Sequence, residues 1–161
     1  CCENKVCRFG NIKDGEMYLN EYGKIAYTQW LKLGERFTNC ELDVFQIMPN
    51  HMHGIIVLNN PAGTTLAVAP NDADKITGAE RAGASPAPTG ATLGDIIGAY
   101  KSIVANECLK IYKSKNQRMG KLWQRNYYEI IIRNQQSYLR ISEYIINNPA
   151  KWESDKLYIY K

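Results

Sequence analysis

The chain has 161 residues, an ordinary globular composition and a net charge of +4. That length suits one domain with a real core, and no apolar run approaches the roughly 18–20 residues of a membrane span. The five cysteines (Cys1, Cys2, Cys7, Cys40, Cys108) are odd in number and form no C-x-x-C pair, which argues against a disulfide framework or cysteine zinc site and for a reducing cytoplasm.

Charge is uneven along the chain. Residues 1–60 carry 6 Lys+Arg against 7 Asp+Glu, whereas 91–161 carry 12 against 6. A basic C-terminal half points to a polyanion-binding face, with a solvated lysine-rich surface as the even alternative. The chain opens on Cys1–Cys2 without Met or a secretory-type leader, so it is expected to start inside a longer reading frame.

In chain order, "GEMYLN" (15–20) reads as a short extended segment. A helix is predicted from Asn20, a good N-cap, because Tyr22, Ala26, Trp30, Leu33 and Phe37 recur at steps of three and four. "LDVFQIM" (42–48) and "HMHGIIVL" (51–58) read as strands joined through Pro49-Asn50 into an antiparallel hairpin. Residues 59–90 show no period and are rich in Gly, Ala, Pro, Thr, Asn and Asp; they read as a flexible low-complexity insertion loop with no site.

Thr92 and Asp95 make a capping-box-like start, and Leu93, Ile96, Ile97, Tyr100, Val104 and Leu109 follow at helical spacing. "LWQRNYYEIIIR" (122–133) is a strand candidate. "NQQSYLRISEYIINNP" (134–149) reads as a helix capped by Asn134 that ends near Asn148, since Pro149 disfavours helical backbone before it. The order predicts one α+β domain over 1–161, an antiparallel sheet with helices packed on it.

Both histidines of the chain, His51 and His53, fall on one predicted strand at i and i+2, so they face the same side, close enough to lean onto one divalent ion. Two ligands do not make a site, and an isolated H-x-H is more simply an inert pair. Tyr144 likewise fits an apolar stripe with Tyr138, Ile141 and Ile145, and Asn148 fits a plain helix end.

Context changes this. "FQIMPNHMHGIIVL", "LWQRNYYEIIIRN" and "YIINNPAKW" together resemble the three signature stretches of the single-tyrosine HUH transposases, closest to the REP-associated tyrosine transposases of the IS200-like family; "GEMYLNEYGKIAYTQWLK" resembles that family's first helix. The resemblance covers most of the chain outside 61–90. It implies a ferredoxin-like (RRM-like) α+β fold, with His51, His53 and Asn148 as metal ligands and Tyr144 as nucleophile. Tyr144 and Asn148 stand at i and i+4, on one helix face. Tyr127 and Tyr128 are rival nucleophiles, ranked lower because no ligand-type residue stands at helical spacing from them.

The implied activity is a metal-dependent endonuclease and strand transferase acting on single-stranded or hairpin DNA, such as REP-like palindromes, through a 5′-phosphotyrosine intermediate. The mixed N/O ligand set suits Mg²⁺ or Mn²⁺, with Zn²⁺ also compatible. Single strands are held by cationic grooves with stacking aromatics, and Lys101, Lys121, Trp123, Gln124, Arg125, Tyr127, Tyr128 and Arg133 form the candidate DNA track. Taken singly, each of these cations is more simply a solvated surface charge, and Trp123 is equally a core anchor. The implied location is the prokaryotic cytoplasm, at the nucleoid, without a membrane; monomers and homodimers both occur in the family.

Three departures stand out. Ile130 occupies a position where many relatives carry histidine; the family's first strand normally precedes the segment that begins here at Cys1; and the 59–90 insertion is long. The alternatives are a non-catalytic nucleic-acid-binding module of the same fold and a metal-dependent hydrolase using water.

Overall fold

The first ordered unit is a hairpin that periodicity does not announce. β1 (Gly10–Lys13) and β2 (Glu16–Leu19) pair antiparallel around Asp14 and Gly15, which take positive φ of 52° and 77°. Positive φ at both central positions is the form that Asp-Gly favours in two-residue hairpins. α1 (Glu21–Leu31) follows, with the Asn20 side chain accepting from the Tyr22 and Gly23 amides at 3.0 and 2.9 Å, the predicted cap. The helix ends earlier than its apolar stripe, because Lys32 opens to ψ −4° and Leu33–Arg36 form a separate turn, α2.

The computed structural model describes residues 1–60, 63–68 and 90–158, with backbone only for residue 60 and for 63–68. It has the expected α+β architecture, an antiparallel sheet carrying helices. β3 (Cys40–Ile47), β4 (Met52–Asn60), β5 (Gly63–Val68) and β6 (Ile130–Ile132) lie side by side in chain order, each antiparallel to the next. The β3–β4 hairpin is the predicted one, in the register Ile47↔Met52 and Gln46↔His53, with a bulge between Leu42 and Phe45.

Two expectations need correction. Residues 59 and 60 belong to β4, and 63–68 form β5 inside the supposed loop; Thr64, Thr65 and Val68 are β-branched, and β4 offers them an edge from Ile55 to Asn60. The rest of that predicted loop, 61–62 and 69–89, lies outside the described residues. The strand predicted over 122–133 shrinks to β6. Its earlier carbonyls instead receive the Lys101 ammonium, at 2.5 Å for Gln124, 3.2 Å for Arg125 and 3.4 Å for Asn126.

Alternation along β4 divides the interior in two. Ile56 joins a cluster with Trp30, Leu33, Ile96, Tyr100 and Val104, built by α1 and α3 (Leu93–Ser114). Its neighbour Ile55 joins Ile132, Ile141 and Ile145 under α4 (Gln135–Asn147) on the opposite face. α3 starts at the predicted Thr92/Asp95 capping box and buries Ile96, Tyr100, Val104 and Cys108 at steps of four. The Tyr100 hydroxyl donates to the Ala26 carbonyl at 3.1 Å, locking α3 to α1.

Gly54, next to His53, is a point of close packing against the core. A Cβ there would lie 2.5 Å from Cζ2 of Trp30, whose ring is 2% exposed. Gly54→Ala is therefore expected to overpack the core and destabilise the fold by about 1–3 kcal/mol, read as a lower denaturant midpoint with an unchanged m-value.

Candidate metal centre

The site begins in the turn between β3 and β4. The Met48 amide donates to the His51 carbonyl at 2.8 Å, closing the turn around Pro49 and Asn50. His51 is the last turn residue rather than part of the strand, and His53 sits one residue inside β4. The rings still converge, edge to face, with centroids 4.6 Å apart and Nε2 atoms 2.9 Å apart. Both are almost wholly buried, at 1% and 3% exposure. Burial, and then the proximity of His53, hold the His51 pKa well below the usual histidine range, so His51 stays in the neutral, ligating form.

α4 brings the second half. It is capped by Asn134, whose side chain accepts from the Ser137 amide at 2.8 Å, and it buries Ile141 and Ile145 against β4. Tyr144 is not part of that stripe: it is 37% exposed, with its ring edge-on to His53 at 5.4 Å between centroids. Asn148 follows four residues later, helical at φ −58° and ψ −42° in spite of Pro149, and 2% exposed. Its Oδ1 is buried with no hydrogen-bond partner among the described residues. An orphaned amide oxygen is costly in a dry site, and a cation would satisfy it.

A residue the motifs do not flag completes the group. After α4 the chain makes a 3₁₀ turn (Pro149–Ser154) that lays Trp152 against His51, at 5.9 Å between centroids, and brings Asp155 back to the site. Asp155 Oδ2 lies 3.4 Å from the Tyr144 hydroxyl and 3.3 Å from Asn148 Nδ2, both long for hydrogen bonds. His51, His53 and Asp155 present ligand atoms that all lie within 4.8 Å of one another, a group able to hold a metal ion. In sequence Asp155 looks like a turn residue, and it does serve as one: its Oδ1 accepts from the Leu157 amide at 2.6 Å.

The predicted DNA track divides. Lys101, Trp123, Gln124, Tyr127 and Tyr128 line a cavity of about 290 Å³ that His51 and His53 also line. Two of them are not free for a backbone. The Lys101 ammonium is spent on the carbonyls of 124–126, and Trp123 is a core anchor, 7% exposed, packed on Phe9 at 5.1 Å and donating to the Lys101 carbonyl at 2.9 Å. Lys121 pairs with Glu3 at 3.4 Å in an exposed ion pair. Arg125 and Arg133 are exposed and do not line this cavity. Of the rival nucleophiles, Tyr127 has its pKa raised by burial and by Glu129, which keeps its hydroxyl protonated. No helix among the described residues is long and apolar enough to cross a membrane.

A Haemophilus influenzae protein described only as uncharacterized is 38% identical to the chain over 167 residues, covering 99% of this chain and 82% of its own length. No family model and no solved structure matches the chain.

Two outcomes follow from the geometry. Mn²⁺ at a hundred times its Kd should stabilise the fold by about 2.7 kcal/mol, roughly 5–10 °C in Tm. The gain should vanish with EDTA and in His51→Ala. The metal-free chain should lose stability as pH falls below the ordinary histidine value of 6.5. The unfolded chain takes up the His51 proton there and the folded chain does not, so protons favour unfolding. Urea midpoints in EDTA across pH 5–8 check this, and His51→Gln should flatten the profile.

Proposed function

We propose, for a chain that belongs to the same family as the uncharacterized Haemophilus influenzae protein, a metal-dependent tyrosine nuclease and strand transferase acting on single-stranded or hairpin DNA. The observation that carries this is one grouping: two buried imidazoles with facing Nε2 atoms, the Asp155 carboxylate beside them, and, both approaching that carboxylate, the 37% exposed Tyr144 and the buried Asn148 amide, whose oxygen has no partner among the described residues. It supports the role that the HUH-type resemblance implies for His51, His53, Asn148 and Tyr144, and it answers the plainer reading of Tyr144 as core.

The residues fit a divalent ion. Two imidazole nitrogens face one another, and the oxygen donors available from Asn148 or Asp155 favour Mg²⁺ or Mn²⁺. When bound, such an ion polarises a non-bridging phosphate oxygen and offsets the charge that develops in the transition state.

The chain's own groups supply the rest. The Tyr144 Oη attacks phosphorus, the P–O3′ bond breaks, and the departing O3′ takes a proton. The product is a 5′-phosphotyrosine with a free 3′-OH, in which the phosphodiester is conserved and can be passed to another 3′-OH. Tyr144 must lose its own proton during attack. Asp155 Oδ2, 3.4 Å away, is the acceptor beside it, a role for which the sequence offered no residue. Tyr127 and Tyr128, 39% and 46% exposed, line the adjoining cavity, and in this reading they would stack bases.

The test is a single-stranded hairpin DNA labelled 3′ of candidate cleavage sites, incubated with Mn²⁺ and run on a denaturing gel. Label should move onto the protein, and Tyr144→Phe should reduce the adduct at least 10²-fold. EDTA, His51→Ala and His53→Ala should abolish it. Cleavage that persists in Tyr144→Phe without an adduct would replace this reading with hydrolysis by water. Hairpin binding with no cleavage would replace it with a binding module.

A further inference from the structure

We propose that Asn50 is the positioning residue of the histidine pair: its side-chain amide fixes His51 as the Nδ1–H tautomer, with a bare Nε2 facing His53, and ties that ring to the segment that carries Asp155. Asn50 is 1% exposed, and both polar atoms of its side chain have partners. Nδ2 donates to the Lys5 carbonyl at 2.9 Å and to the Leu157 carbonyl at 2.8 Å, while Oδ1 lies 2.7 Å from His51 Nδ1. Carbonyls only accept, so the two main-chain partners decide which end of the amide is which. The oxygen is left against the imidazole, and since that oxygen also only accepts, His51 must donate from Nδ1.

A neutral imidazole has one N–H, so His51 Nε2 has none and presents its lone pair. The 2.9 Å contact between the Nε2 atoms then requires the proton to be on His53. The two rings are therefore not equivalent. His51 is preset as a ligand. The same amide reaches further: Leu157, whose carbonyl Asn50 holds, donates its own amide to Asp155 Oδ1 at 2.6 Å. One side chain thus links the first ligand to the segment carrying the carboxylate beside Tyr144, its bond to Leu157 spanning 107 residues of sequence.

The assignment of His51 as a donor from Nδ1 stands on this geometry, and its consequence for ligation rests on the metal-centre reading above. With only two histidines in the chain, two-bond ¹H–¹⁵N spectra at pH 7.5 in EDTA resolve both rings. His51 is expected as Nδ1–H and His53 as Nε2–H. Asn50→Ala should release His51 toward the Nε2–H form and weaken Mn²⁺ binding, measured by calorimetry, about 10–100-fold. Asn50→Asp keeps the acceptor for His51 but loses both donors. It should keep the Nδ1–H tautomer and Mn²⁺ affinity within about threefold, while lowering Tm.

A wild-type His51 found as Nε2–H would overturn the proposal. So would a folded Asn50→Ala with unchanged tautomer and affinity. If Asn50→Ala does not fold, Asn50→Asp decides, and loss of the Nδ1–H form there counts against it. The expected tautomers in a wild type that takes up no Mn²⁺ would uphold the role of Asn50 and sink the metal-centre reading instead.

Discussion

Burying an amide without partners costs roughly 1–3 kcal/mol, and Asn50 is buried in a turn, where the backbone offers it no regular ladder. Its three partners come from the N-terminal segment, the C-terminal segment and its own neighbour. The turn itself is held from outside as well, because the Cys2 and Phe9 amides donate to the Asn50 and Pro49 carbonyls at 2.6 and 2.9 Å. Segments far apart in sequence thus converge on four residues. The histidine pair is only as well placed as this turn, and the turn is held by contacts from residues 2–9 and from Leu157. The site depends on contacts distant in sequence rather than on a local motif.

The strand that follows carries a second constraint. β4 is covered on both faces, and its successive residues Ile55 and Ile56 are committed to opposite interiors. Gly54 has no side chain because Trp30 occupies that space. His53 is thereby held between a tight apolar contact on one side and the α4 layer on the other, which leaves its ring little freedom. Rigidity of this kind suits a ligand, since a metal site loses affinity when its donors must be ordered on binding.

Much of the framework was legible in the sequence. The caps at Asn20, Thr92 and Asn134, the hairpin over 42–58 and the end of α4 at Asn148 follow from capping chemistry, periodicity and proline. What was not legible depends on tertiary partners. β5 exists because β4 leaves an edge to pair with, and most of 122–133 is not strand because Lys101 takes its carbonyls. The basic C-terminal half overstated the surface charge on offer, since Lys101 is turned inward and Lys110, Lys115 and Lys121 face Glu107, Glu21 and Glu3. Asp155 carries no motif spacing, and Asn50 enters the sequence reading only as a turn residue beside Pro49. Their importance comes from which atoms the fold brings within hydrogen-bonding range.

The contrast between Tyr144 and Asn148 bears most directly on the chemistry. A neutral amide oxygen serves best as a ligand where bulk water does not compete for it, whereas a nucleophile for a polymeric substrate must be reachable. Residues at i and i+4 on one helix face meet both demands when the helix tilts into the core toward its C-terminal end, and here the exposure falls from 37% at Tyr144 to 2% at Asn148. Both approach the same carboxylate oxygen of Asp155. A centre that activated water would have no use for an exposed tyrosine packed edge-on against one of its histidines. A passive binding surface would have no use for an amide oxygen buried without a partner. The tyrosine mechanism uses both features, and for that reason it is preferred over either rival.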